Sequence, residues 1–296
     1  MIVASTVLEL REALSAARIG KKRIGLVPTM GAFHAGHLHL MATAREECDI
    51  VVVSLFVNPT QFGDATDLAA YQRNHAGDAQ LASTAGADFL FAPSVLEMYP
   101  SGFNATVQVG GITEPLEGKA RGLAHFRGVT TVVTKLFNIV QPHVAYFGQK
   151  DAQQVAVVRQ LVRDLNIPVE IAVCSIMRES DGLAMSSRNA RLSPGARAQA
   201  VALTEALYTV QSLVAKGERA VTALLTNARA RLSARGIADG DIEYFSAVNN
   251  TTFTDVLEIA NEAVLFSLAV RVGGVRLIDN LVINGSTPAP RLPNAP

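Results

Sequence analysis

The chain has only two cysteines among its 296 residues, Cys48 and Cys174, too few and too far apart for a disulfide framework. Free thiols fit a reducing compartment. An excess of positive charge is also missing. Twenty-six Lys and Arg balance 26 Asp and Glu, which argues against the basic footprint of a nucleic-acid-binding protein. No stretch reaches the roughly 18 consecutive apolar residues of a membrane span. Met1-Ile2-Val3-Ala4-Ser5-Thr6 lacks the charged and apolar regions of a secretory signal, and no internal repeat is visible. A cytoplasmic globular protein without nucleic-acid or membrane partners is therefore expected. Hydrophobic residues make up 49% and charged residues 18%, a balance suited to an enzyme with a large core and, at this length, two domains.

The first part alternates strand and helix. Thr6-Val7-Leu8-Glu9 has the form of a capping box and opens a helix to about Ala17. Apolar runs at Ile24–Val27, Ile50–Val57, Asp88–Phe91, Val144–Phe147 and Val169–Ile176 read as strands buried on both faces. Helical stretches lie between them at Leu38–Glu47, Asp78–Thr84, Val129–Ile139 and Ala152–Leu165. The alternation predicts an α/β fold with a doubly wound parallel sheet over residues 1–176, ligands binding at the carboxyl ends of its strands. Beyond Ile176 the pattern changes. Ser193-Pro194 marks a helix start, and two helices broken near Lys216-Gly217 are expected before Arg235. Strands at Ile242–Val248, Ala263–Val270 and Val275–Ile278 follow, the last two joined at Gly273-Gly274. A smaller α+β domain over 177–285 and a disordered Pro-rich tail over 286–296 complete the expectation.

The segment Pro28-Thr29-Met30-Gly31-Ala32-Phe33-His34-Ala35-Gly36-His37 follows the first buried strand. It places two imidazoles on one face of an opening helix, at the end whose free N–H groups and dipole attract anions. A phosphate chain fits there; half of a metal site or two ordinary surface histidines would read similarly. Four further clusters follow strand ends or precede a helix. Phe56-Val57-Asn58-Pro59-Thr60-Gln61-Phe62 brings amides to a carboxyl end, although a plain turn would also account for Asn-Pro. Gly148-Gln149-Lys150-Asp151 allows close backbone approach at Gly148, a cation for phosphate and a carboxylate for ribose, against the alternative of a solvated charge pair. Met185-Ser186-Ser187-Arg188-Asn189 offers two hydroxyls and a guanidinium suited to phosphate oxygens, or else a polar loop. His125-Phe126-Arg127-Gly128 precedes a helix or is a packed turn.

Taken in order, and with Leu116-Glu117-Gly118 and Leu277-Ile278-Asp279-Asn280, these motifs resemble the pantoate–β-alanine ligase family, the pantothenate synthetases of the HxGH nucleotidylyltransferase superfamily. The resemblance implies a Rossmann-like sheet with a C-terminal lid domain. It implies a ligase that adenylates pantoate with ATP, releases pyrophosphate, and passes the pantoyl group from the adenylate to β-alanine with loss of AMP. By the same resemblance His34, His37, Lys150, Ser186, Ser187 and Arg188 are catalytic, contacting the phosphates and the departing pyrophosphate. Gly148, Asp151, Met30 and Met185 complete the ATP site. Gln61 and Gln154 bind pantoate between the apolar walls of Met30 and Phe62. Mg²⁺ accompanies ATP, with Asp78 as its expected protein contact, and a homodimer is expected. Two other readings are another adenylyltransferase of the superfamily acting on a cofactor precursor and a nucleotide-binding homologue with impaired chemistry.

Several positions depart from the family pattern. Tyr71-Gln72-Arg73-Asn74-His75-Ala76-Gly77-Asp78 keeps Tyr71, Arg73 and a single acid. Arg121-Gly122-Leu123-Ala124-His125-Phe126 carries one extra residue, His143 stands where Asp is common, His39 where Ser is common, and Gln149 where Glu is usual.

Overall fold

The computed structural model describes residues 1–63 and 65–284, so the tail expected from Ser286 lies outside the described residues. The chain forms two compact units, Met1–Met177 and a second beginning at Arg178, one residue from the predicted boundary. Among the described residues no helix is long and apolar enough to cross a membrane.

In the first unit β1 (Ile2–Ala4), β2 (Ile24–Thr29), β3 (Ile50–Leu55), β4 (Phe89–Phe91), β5 (Val144–Gly148) and β6 (Glu170–Cys174) form one sheet. The strand order is β1-β4-β3-β2-β5-β6, and every pairing is parallel. The helices are α1 (Val7–Ile19), α2 (Ala35–Glu47), α3 (Ala65–Ala69), α4 (His75–Thr84), α5 (Val95–Met98), α6 (Glu117–Arg121), α7 (Leu123–Val140) and α8 (Ala152–Asp164). Successive strand residues alternate between two cores. Leu26, Val52, Ala145 and Phe147 face one, with Val129, Val133 and Val158. Val27, Val53, Val144 and Tyr146 face the other, with Met41 and Ala44. Burial on both faces is why β2, β3, β4 and β5 read as apolar runs; β6, at the sheet edge, departs from that expectation, with Glu170 exposed and Ile171–Val173 half-buried.

Chain order steps from β2 outward through β3 to β4, and then returns to the other side of β2 with β5. That reversal opens a crevice at the carboxyl ends of β2 and β5, where ligands bind in open parallel sheets. The segments after both strands are the ones the sequence singles out.

Some boundaries differ from the sequence reading. The short strand β1 was not anticipated: two of its three residues are exposed, so it carries no buried run. Helix α7 begins at Leu123, which places His125–Gly128 inside the helix and not before it. Gly122, with φ of 82°, separates α6 from α7. The His143 Nδ1 accepts the Ile24 N–H at 3.0 Å.

The second unit packs α9 (Pro194–Ala200), α10 (Ala202–Ala215) and α11 (Val221–Ala234) on an antiparallel sheet of β7 (Ile242–Asn249), β8 (Val264–Val272) and β9 (Val275–Ile283). Three helices stand where two were expected: α9 and α10 meet at Val201, which keeps right-handed helical dihedrals (φ −58°, ψ −25°), and Gly217, with φ 100°, follows α10. The β8–β9 turn at Gly273 and Gly274 has φ of 55° and 77°, the left-handed pair that a two-residue hairpin requires.

Candidate functional site

The turn after β2 bends sharply at Gly31, with φ 90°, and at Ala32, with φ 54°. A Cβ on Gly31 would lie 2.7 Å from Leu55 Cδ1 and 3.0 Å from Asp78 Oδ2, so only glycine fits. His34 then caps α2, its Nδ1 accepting the Gly36 N–H at 3.1 Å. The His37 Nδ1 accepts the His34 N–H at 3.4 Å, and the two rings stand 4.2 Å apart. A nitrogen that accepts a backbone proton cannot carry one, so each neutral ring bears its proton on Nε2. Burial, then the charges of His34 and Lys150, push the His37 pKa down to about 3. His37 is therefore a neutral donor near pH 7, placed at a helix N-terminus beside a lysine. The spacing in sequence anticipates the juxtaposition of the rings, but not the tautomer, which depends on backbone geometry.

Gln61 ends the turn Pro59–Gln61 and is buried. Its amide polarity is set by Asn58, whose Nδ2 donates to Gln61 Oε1 at 3.0 Å and to Gly128 O at 3.1 Å. The Asn58 Oδ1 accepts from Tyr99 OH at 2.8 Å and from Thr60 Oγ1 at 2.9 Å. With Oε1 taken, Gln61 presents Nε2, which donates to Met30 Sδ at 2.9 Å. His125 supports the same turn: its Nδ1 lies 2.8 Å from Gln61 O, and a carbonyl can only accept, so Nδ1 carries the proton. Helix α7 contacts the turn directly at Gly128, where a Cβ would sit 2.5 Å from Thr60 O. Asn58, Tyr99, His125 and Gly128 support this turn, roles that the sequence reading of amides at a strand end, or of a plain Asn-Pro turn, does not assign. Phe62 stands edge-on to Tyr71, centroids 5.8 Å apart.

After β5, Gly148 leads into the turn Gln149–Asp151 and then α8. A Cβ on Gly148 would meet nothing, so the glycine leaves open space beside the backbone. Lys150 is half-buried and Asp151 exposed. Two adjacent glutamines on α8 have different environments. Gln153 is buried, with Oε1 accepting from Glu117 N at 2.9 Å and Nε2 donating to Ile112 O and Pro115 O. It holds the loop containing Leu116, whose φ is 50°, and Gly118, where a Cβ would lie 1.7 Å from Thr113 O. Gln154, the sequence candidate, is half-buried.

Asp78, the expected metal contact, is 4% exposed on α4. Its Oδ2 accepts the Ala32 N–H at 2.9 Å and its Oδ1 the Phe33 N–H at 2.8 Å. Among the described residues no group of three or more His, Cys, Asp or Glu could hold a metal ion. The residues present thus do not form a cage for protein-held Mg²⁺, which favours six oxygen ligands and keeps several waters. A cavity of about 290 Å³ opens nearby, lined by Met30, Leu55, Phe56, Arg73 and Asp78 among others.

In the second unit Met185, Ser186, Ser187 and Arg188 are half-buried around the turn Ser187–Arg191. Ser186 Oγ accepts the Arg188 N–H at 3.3 Å. The loop is held from behind. Arg178 forms a bidentate pair with buried Asp279 at 2.7 and 3.1 Å, Arg197 bridges Glu179 and Asp181 at 2.7 Å, and Asn189 donates to Glu179 and Ala184 O.

A family model described as pantoate-beta-alanine ligase matches residues 2–282. The chain is 50% identical over 283 residues to the pantothenate synthetase of Acetivibrio thermocellus, covering 96% of this chain and 99% of that protein. It is 53% identical over 267 residues to that of Heliobacterium modesticaldum, covering 90% and 93%. The crystal structure of pantothenate synthetase from Thermus thermophilus superposes with a TM-score of 0.87 at 44% identity, covering 95% and 99% of the two chains. That of pantoate-beta-alanine ligase from Francisella tularensis, complexed with beta-gamma ATP and beta-alanine, gives 0.78 at 34% identity, covering 97% and 98%. With every motif-bearing strand end inside the matched span, the chain belongs to the pantoate–β-alanine ligase family.

Proposed function

We propose that this chain joins pantoate to β-alanine through a pantoyl adenylate, and that the groups gathered at the carboxyl ends of β2, β3 and β5 carry the first step. The observation that supports this most is the pair of Nε2–H imidazoles at the start of α2, beside Lys150. They form a fixed set of donors where charge develops on transferring phosphates. A carboxylate oxygen of pantoate bonds to the α-phosphorus of ATP, the bond to the bridging oxygen breaks, and pyrophosphate leaves with the electron pair. The amine of β-alanine then attacks the acyl carbon, AMP departs, and the amine loses a proton. Both are displacements that depend on positioning and charge stabilisation, with no covalent enzyme intermediate.

In this reading His34 and His37 donate to phosphate oxygens, Lys150 balances the growing negative charge, and Gly148 and Asp151 accommodate the adenosine. Gln61 offers its Nε2–H to an oxygen of pantoate, Gln154 provides a second amide, and Met30 and Phe62 cover the apolar part of the acid. Met185, Ser186, Ser187 and Arg188, on the second unit, close on the nucleotide as a lid, with the last three on the departing pyrophosphate, so that β-alanine meets the adenylate before water does. Mg²⁺ enters on the phosphates of ATP. Assembly as a homodimer is part of the same reading and is checked by sedimentation.

The test is exchange of labelled pyrophosphate into ATP, with each component omitted in turn. Exchange that requires pantoate, followed by equal amounts of AMP and pantothenate once β-alanine is added, is the expected result. Exchange without pantoate would point to a different acceptor for the adenylyl group.

A further inference from the structure

We infer that Asp78 is a positioning residue for the phosphate-binding turn, acting through the Ala32 and Phe33 amides, and not a ligand of Mg²⁺. Its two oxygens each accept a backbone N–H from consecutive residues of the turn, at 2.9 and 2.8 Å. The carboxylate is 4% exposed, and no companion set of acids surrounds it among the described residues.

The turn needs such a support. Ala32 has a φ of 54°, a left-handed conformation that costs a non-glycine residue free energy and persists only where its surroundings enforce it. Two charge-assisted hydrogen bonds are a strong enforcement. Phe33 immediately precedes His34, whose backbone N–H in turn fixes His37 through Nδ1. The chain of contacts therefore runs from α4 through two amides to both imidazoles. Gly31 completes the fit, since the Asp78 Oδ2 atom occupies space a Cβ would need.

The inference rests on the reading of His34 and His37 as phosphate ligands. The test is D78N in the full chain, which keeps the shape and one acceptor but removes the charge and turns the other oxygen into a donor facing an N–H. Pantoate-dependent exchange of pyrophosphate into ATP should fall about 10²-fold in kcat, the scale of a displaced catalytic group. The KM for pantoate and the Mg²⁺ concentration giving half the maximal rate should not change, and the Ala32 and Phe33 amides should exchange with solvent faster. An unchanged rate would overturn the inference, as would a raised Mg²⁺ requirement with recovery at high Mg²⁺. If D78N does not fold, hydrogen exchange on the unaltered protein without metal or nucleotide decides. Protected Ala32 and Phe33 amides support the clamp and rapidly exchanging ones overturn it. Normal exchange activity in H34A and H37A would instead overturn the phosphate-site reading, whereas normal D78N beside defective histidine variants would remove only the clamp.

Discussion

At the scale of single residues, protonation and amide polarity are set by which atoms face the backbone. His37 is held neutral with its pKa near 3 by burial and by nearby positive charge. Adenylation should therefore show no ionisation of His37 across about pH 6 to 8, the range where an ordinary histidine titrates. NMR should find this ring protonated at Nε2 only. Replacing His34 or His37 by Ala should slow pyrophosphate exchange about 10²-fold, the scale of one lost preorganised donor, without unfolding the chain. Gln61 depends on its neighbours in a similar way. Tyr99→Phe removes the hydroxyl that fixes the Asn58 amide, so the Gln61 carboxamide loses its set orientation. The KM for pantoate should rise up to about tenfold, the scale of a neutral hydrogen bond, while the KM for ATP stays constant. A change in ATP use of the same size would place the pantoate subsite elsewhere.

At the scale of elements, the turn that carries Gln61 is seated on α7 through Gly128 and His125. A methyl group on Gly128 would meet Thr60 O and Gln61 N at 2.5 and 2.7 Å. Gly128→Ala should lower stability by about 1–3 kcal/mol through overpacking, read by denaturant unfolding, and should weaken pantoate use at the same time. His125 adds a pH dependence. Burial, then the Arg121 charge, lower its pKa from 6.5 to about 4. Because the folded form resists protonation, the stability linked to this group is complete above pH 6.5 and is lost as pH falls toward about 4. Unfolding midpoints measured over that range should decline, and His125→Asn, which keeps a donor for the Gln61 carbonyl, should flatten the decline.

At the scale of the whole molecule, each unit has its own core. The parallel sheet is filled from both faces in the first, and three helices cover one antiparallel sheet in the second. A chain ending at Met177 should therefore fold and bind ATP weakly, yet make no pantothenate if Ser186, Ser187 and Arg188 act on the pyrophosphate. Calorimetry with ATP and assay of pantothenate check both halves. Full synthesis by the shortened chain would rule the lid out.

The alternation of buried apolar runs with amphipathic stretches determined the doubly wound sheet, and ordered motifs at strand ends determined the family, because period and local turn chemistry are written in neighbouring residues. Short or exposed elements escaped that logic: β1 has no buried run, and the start of α7 depends on Gly122. The roles of Asp78, Asn58, Tyr99 and Gln153 were decided only by tertiary structure. Each acts through hydrogen bonds to groups remote in sequence, as when Asp78 bonds amides 45 and 46 positions away. Sequence spacing names the acid but not its partner. Gln153 and Gln154 show the same limit, being identical side chains one residue apart on α8. The rotation of the helix buries one amide among three backbone groups and leaves the other half-exposed.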